Sequence, residues 1–135
     1  SSLIDFEADL VVGNRLKGGI EPYAMPFLNR WVGTPALSLV ITLLFGLRCG
    51  VRVGDCNGGM RAFWKKSFQG WGVKTLGMEF ASEMIVRCLR SGASYREIPI
   101  SYRRAIPGRQ SHLRRWEDAF RHLKQVVVLF CLRGR

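Results

Sequence analysis

Apolar residues along this chain come in blocks separated by glycine, proline and charge, and each block predicts one element. Leu10, Val11 and Val12 form a compact run that stops at Gly13. This predicts a short buried strand with Asn14 and Arg15 at its C-terminal end. Residues 17–26 carry Gly18, Gly19, Pro22 and Pro26, which punctuate rather than propagate a helix, so a loop is expected there. Residues 31–47 hold no charge, and from Pro35 onward Leu37, Leu39, Val40, Ile41, Leu43, Leu44, Phe45 and Leu47 cover nearly every face of a helix. Such a helix must be buried in something. A bilayer span takes about 20 apolar residues, and Pro35 and Gly46 cut the regular part to roughly a dozen, so a buried or membrane-interface helix is expected rather than a spanning one.

A glycine-rich turn follows, Gly54-Asp55-Cys56-Asn57-Gly58-Gly59-Met60-Arg61, and then Ala62-Phe63-Trp64 and two lysines. Residues 79–90 have helical periodicity, with Phe80, Met84, Ile85, Cys88 and Leu89 on one side. Glu79, Glu83, Arg87 and Arg90 are available to the other, and Gly92 is placed to cap the end. Residues 95–102 carry Ile98 and Ile100 around Pro99, which predicts a strand at a sheet edge because proline cannot donate to a central ladder. A basic loop over residues 103–112 leads to a helix over residues 116–132, amphipathic at its start and apolar at its end.

Charge sharpens the picture. Of 135 residues 21 are Lys or Arg and 10 are Asp or Glu, a net charge of +11, so an anionic partner is expected. Residues 101–135 hold nine of those cations and two acids, which makes the C-terminal third the stronger candidate for meeting the anion. The 47% apolar content supports a folded core rather than a disordered tail. Cys49, Cys56, Cys88 and Cys131 show no Cys-x-x-Cys spacing and no nearby His pair; they are expected to be reduced, largely buried thiols rather than zinc ligands or a disulfide framework. The chain opens Ser-Ser without the pattern of a signal peptide, which is expected of a processed piece or a fragment.

Five motifs in order resemble a known family. They are Ala8-Asp9-Leu10-Val11-Val12-Gly13-Asn14-Arg15, Asp55-Cys56-Asn57-Gly58-Gly59-Met60-Arg61-Ala62-Phe63, Gly77-Met78-Glu79-Phe80-Ala81-Ser82-Glu83-Met84, Ile98-Pro99-Ile100-Ser101-Tyr102 and Gly108-Arg109-Gln110-Ser111-His112-Leu113. Together they resemble the second half of family 2 glycosyltransferases of the polyprenyl-phosphate type, the dolichyl-phosphate mannose synthase-like and undecaprenyl-phosphate glucosyltransferase-like enzymes. The resemblance implies an α/β chain forming the acceptor-side half of a GT-A fold, with a mixed sheet and packed amphipathic helices. Residues 1–113 would be that part of the domain, and residues 114–135 a basic, apolar-tailed helix leading to the membrane.

The reaction implied is inverting transfer of a hexose from a nucleotide sugar to a polyprenyl phosphate at the cytosolic face of the membrane. A polyprenyl phosphate is mostly dianionic at neutral pH, so it needs positioning cations more than a general base. By resemblance Arg15 and Arg30 would bind the acceptor phosphate, and a guanidinium can grip two of its oxygens at once. Asp55 and Glu83 would lie near the reacting centre; a turn aspartate bonding its own backbone, or pairing with Arg61, is the plainer alternative for the first, and an i,i+4 pair with Arg87 for the second. Arg103, Arg104, Ser111 and His112 would form a loop over the donor diphosphate, with His112 where the family has Lys. The family's Asp-x-x-Ser-Gly motif has Gly58 in its Ser position here.

The family holds Mg2+ or Mn2+ on an Asp-x-Asp motif, which this sequence lacks. The metal and the donor half are therefore expected outside it, and the chain alone is expected to be inactive. Nucleotide sugar, polyprenyl phosphate and membrane surface are the partners implied, with no nucleic acid. As a half-domain the chain is also expected to leave the sheet edge at Leu10, Val11 and Val12 unpaired. The alternative is a basic module that binds anionic lipid or nucleic acid without catalysis.

Overall fold

A computed structural model of the chain describes residues 7–21, 34–56, 58–76, 79–103 and 115–132. The architecture is α/β, with helices packed on a three-stranded mixed sheet, consistent with part of a GT-A fold. Strand β1 (Leu10–Asn14) is buried along its whole length and lies in the middle. Strand β2 (Arg61–Phe63) runs antiparallel to it, with Leu10 opposite Phe63. Strand β3 (Tyr95–Pro99) runs parallel on the other side, with Leu10 opposite Tyr95 and Asn14 opposite Pro99. A central strand covered on both faces needs apolar residues pointing both ways, which accounts for the unbroken Leu-Val-Val run. The expectation of an unpaired edge at Leu10, Val11 and Val12 is therefore corrected: β2 and β3 both close on β1 from within the chain.

Helix α1 (Arg15–Gly18) is a single turn, capped by Asn14, whose side chain accepts from Lys17 N at 3.0 Å. Helix α2 (Thr34–Ile41) continues into a π-helical turn (Thr42–Gly46) and a 3-10 turn (Leu47–Cys49). The widening starts at Thr42, whose hydroxyl donates to Ser38 O at 2.9 Å and accepts from Val53 N at 2.9 Å. A side chain bonding back into the preceding turn while a loop amide bonds to it opens the α-helical ladder there. Helix α3 (Lys65–Trp71), helix α4 (Phe80–Arg90) and helix α5 (Arg115–Cys131) complete the fold. Helix α4 ends in a Schellman motif: Gly92, at φ 72°, donates to Leu89 O and Ala93 donates to Cys88 O.

The core joins Leu10 and Val12 of β1 to Ile41 of α2 and Phe45 of its π-helical continuation, Met84, Ile85 and Leu89 of α4, and Val126 and Leu129 of α5. Helix α2 and its continuation bury Ile41 and Phe45, while Leu39, Leu43 and Leu47 remain 57%, 56% and 64% exposed. Two expectations are corrected. Glu83 is not on an open polar face, because residues 71–75 cover that side of α4 and its carboxylate is fully buried. Cys56 and Cys88 are buried as expected, whereas Cys49 and Cys131 are exposed; all four thiols are free. Among the described residues no helix is long and apolar enough to cross a membrane.

Candidate anion-binding site

The parallel pairing of β1 and β3 brings their C-terminal ends together, and the site forms there. Arg15 leaves the end of β1 with its side chain turned toward the Gly54-Asp55 turn. Its Nε donates to Asp55 Oδ2 at 2.8 Å, its Nη2 to Oδ1 at 2.9 Å, and its backbone N to Oδ2 at 3.0 Å. Asp55 is fully buried, while the Arg15 side chain keeps 13% of its surface open. Burial by itself would lower the Arg15 pKa, but the hydrogen bonds and charge of Asp55 outweigh it and hold the guanidinium above its ordinary value. The Tyr102 ring lies under the guanidinium, 5.2 Å from centroid to Cζ.

Glu97 fixes the turn that carries Asp55. Its Oε1 accepts from Gly54 N at 2.7 Å, Asp55 N at 3.3 Å and Tyr95 Oη at 2.7 Å, and its Oε2 accepts from Asn14 Nδ2 at 2.8 Å. A Cβ at position 54 would run into the Asn14 amide and the Glu97 carboxylate, so a side chain there would have to displace the pair that fixes the turn. Arg61 holds the other side of the turn by donating to the carbonyls of Cys56, Gly58 and Ala81 at 2.8, 2.8 and 2.6 Å. Arg61 thus supports the loop through backbone, and the bidentate partner of Asp55 is Arg15. Burial, the largest influence, lowers the Arg61 pKa and raises that of the Cys56 thiol to about 11, so Cys56 stays protonated at neutral pH and is no nucleophile.

Beside Arg15 an open groove of about 370 Å³ is lined by Gly18, Gly19, Ile20, Glu21, Ser101, Tyr102 and Arg103. Tyr102 links it to the clamped guanidinium, and exposed Arg103 adds a second cation at its rim. Asp55 uses two of the five guanidinium N–H groups, so the side chain retains donors for a further anion.

Of the expected site residues, the structure therefore brings Arg15, Asp55 and Arg103 to one end of the sheet. It sets Glu83 in a separate cluster, where the carboxylate accepts from Lys74 N, from the amide and hydroxyl of Thr75, and from Arg87 Nε. Arg30, Arg104, Ser111 and His112 lie outside the described residues. The sequence reading missed Glu97 and the stacking role of Tyr102. The available signal was period-two alternation in β3, which sets Glu97 on the same face as buried Tyr95. Among the described residues no group of three His, Cys, Asp or Glu side chains converges to hold a metal ion.

No family model matches the chain. Over 122 residues it is 33% identical to the low-salt glycan biosynthesis hexosyltransferase of Haloferax volcanii, an alignment covering 90% of this chain and 28% of that protein. The chain is similar to a segment of a hexosyltransferase. It spans less than a third of the length of that relative, and the aligned stretch is long enough to take in most of the elements that build the Arg15 site.

Proposed function

We propose that this chain is the acceptor-side part of an inverting hexosyltransferase that moves a sugar from a nucleotide sugar to a polyprenyl phosphate at the cytosolic face of a membrane. The observation that carries the reading is the Arg15 guanidinium, clamped by buried Asp55 beside an open groove with a second arginine at its rim. Similarity to a hexosyltransferase and a net charge of +11 support it. An acceptor phosphate oxygen forms the new bond to the anomeric carbon as the bond to the nucleoside diphosphate breaks on the opposite face, and the electron pair leaves with the diphosphate. The dianion needs no proton removed, so the demand on this chain is positional.

Arg15 fixes the acceptor phosphate, and Asp55 acts through Arg15 by holding its fork in one orientation. Arg103 and Arg104, with Ser111 and His112, draw the leaving diphosphate toward the groove. Mg2+ or Mn2+ would neutralise that diphosphate when bound; the described residues do not fit it, so its ligands belong elsewhere in the intact enzyme. Glu83 serves the fold, anchoring residues 74 and 75 to α4.

The test replaces Arg15 by Lys in the complete enzyme, which keeps the charge and removes the fork. Hexose transfer to polyprenyl phosphate is expected to fall at least about tenfold in kcat/KM, with the KM for nucleotide sugar unchanged. Unaltered kinetics in a variant with the native circular dichroism spectrum overturn the assignment. A basic module without catalysis predicts no transfer by either protein.

A further inference from the structure

Four consecutive backbone amides around Asp55 are each bonded to a side chain. Val53 N donates to Thr42 Oγ1 at 2.9 Å, Gly54 N and Asp55 N donate to Glu97 Oε1 at 2.7 and 3.3 Å, and Cys56 N donates to Ser38 Oγ at 3.0 Å. Arg61 takes up carbonyls of the same turn, those of Cys56 and Gly58. The turn is therefore gripped from β2, from β3, and from α2 with its π-helical continuation. Loop amides are commonly left to water or to the backbone of the turn itself. Here oxygens from other elements hold them in place.

Ser38 and Thr42 lie at i and i+4, share one face of the helix, and are both buried. Their oxygens are one torsion from the backbone, and the β-branch of Thr42 restricts that torsion further. Thr42 also opens the π-helical turn, and such widenings recur at functional sites. The residues these two anchors hold, Val53 and Cys56, bracket Asp55. Its carboxylate in turn holds Arg15 by three bonds, from Nε, Nη2 and the backbone N.

We infer that Ser38 and Thr42 are positioning residues for the acceptor phosphate, acting through the 53–56 turn and Asp55 to fix the Arg15 fork beside the groove. The inference rests on the reading of Arg15 as the ligand of that phosphate. The residues that line the groove lie at 18–21 and 101–103, so α2 acts at one remove. A displaced fork grips one phosphate oxygen instead of two. Misplacement by about 1 Å costs about a hundredfold in rate, and loss of one anchor among several is expected to cost less.

The experiment takes two readouts on the complete enzyme. The first is hydrogen exchange, read by mass spectrometry at the Arg15 amide, which donates to Asp55 Oδ2 and so reports where that carboxylate lies. Ser38→Ala and, separately, Thr42→Val are expected to speed this exchange at least tenfold, although the bonds removed are those of Cys56 and Val53. Thr42→Ser returns the hydroxyl and is expected to restore slow exchange. Ser67→Ala removes the hydroxyl bonded to Asp9, near the opposite end of β1, and is expected to leave exchange at Arg15 within about twofold. Circular dichroism checks the fold, and if Ser38→Ala does not fold, Thr42→Val against Thr42→Ser carries the test.

Hexose transfer is the second readout. Both hydroxyl deletions are expected to raise the KM for polyprenyl phosphate at least about fivefold, with the KM for nucleotide sugar unchanged and Thr42→Ser restoring the loss. In an Arg15→Lys background the same deletions should cost less than about twofold, because no fork is left to position. Unchanged exchange at Arg15 in the deletion variants overturns the inference whatever transfer does. So does the full fivefold loss in the Arg15→Lys background, which would mean that the anchors act independently of Arg15. Absence of transfer by the wild-type enzyme overturns the proposed function and with it the phosphate role, whereas faster exchange at Arg15 would in that case still establish that α2 sets the clamp.

Discussion

At the scale of residues the chain separates two buried carboxylates that look alike in sequence. Asp55 spends its oxygens on a side chain that remains partly open to solvent, whereas Glu83 spends its own on Lys74, Thr75 and Arg87 within the fold. Burial would raise the Glu83 pKa, but the hydrogen bonds from Thr75, Arg87 and Lys74 outweigh it and hold it below its ordinary 4.5. A carboxylate with a depressed folded pKa stabilises fully above its unfolded value, and the contribution is lost as pH falls through the folded one. Glu83→Gln is therefore expected to lower stability by about 1–3 kcal/mol near neutral pH, because Arg87 loses its charged acceptor. The gap between wild type and variant should narrow below pH 4.5, toward the folded pKa. Thermal melts from pH 7 to pH 3 check this, and a gap that widens on acidification contradicts it.

At the scale of elements, what sequence could show depended on length and period. Strand β1, helices α4 and α5 and edge strand β3 are long enough, or regular enough, for apolar spacing and a capping glycine to mark them. Strand β2 has three residues and α3 seven; each holds fewer than two full periods of its pattern, too little for the pattern to repeat, and β2 pairs along β1. The site was half legible for a related reason. Arg15 and Asp55 stand out as a strand-end cation and a turn acid, but their pairing and the support from Glu97 are tertiary contacts between segments about 40 residues apart or more.

Gly58 shows how an element can decide a motif. The resemblance puts a serine there, yet a Cβ at this position would overlap the Gly13 carbonyl and crowd Val12 of β1. The turn lies too close to the central strand for any side chain. Gly58→Ser is accordingly expected to destabilise the fold by about 1–3 kcal/mol through overpacking, read as a lower denaturation midpoint with an unchanged slope. A midpoint equal to wild type would mean that the turn can move away from β1 at no cost.

At the scale of the whole molecule the positive charge is divided between two environments, and salt distinguishes them. Buried Asp55 holds partly buried Arg15, with 13% of the arginine side chain exposed. Arg48, Arg52, Arg121 and Lys124 are instead exposed. Screening acts on exposed charges separated by more than a Debye length, which shrinks from about 10 Å at 0.1 M to roughly 3 Å at 1 M salt, and acts little on a buried pair already in contact. Binding of the protein to vesicles that contain anionic lipid, which the membrane face of the proposed function implies, should weaken at least tenfold as salt rises from about 0.1 to 0.5 M, while the melting temperature shifts by only a few degrees. The mutual repulsion of a chain at +11 is itself relieved by salt, so any shift in melting temperature should be upward. Vesicle binding and melting temperature falling together with salt would mean that the exposed cations hold the fold rather than a partner, and the division of charge between site and surface would be wrong.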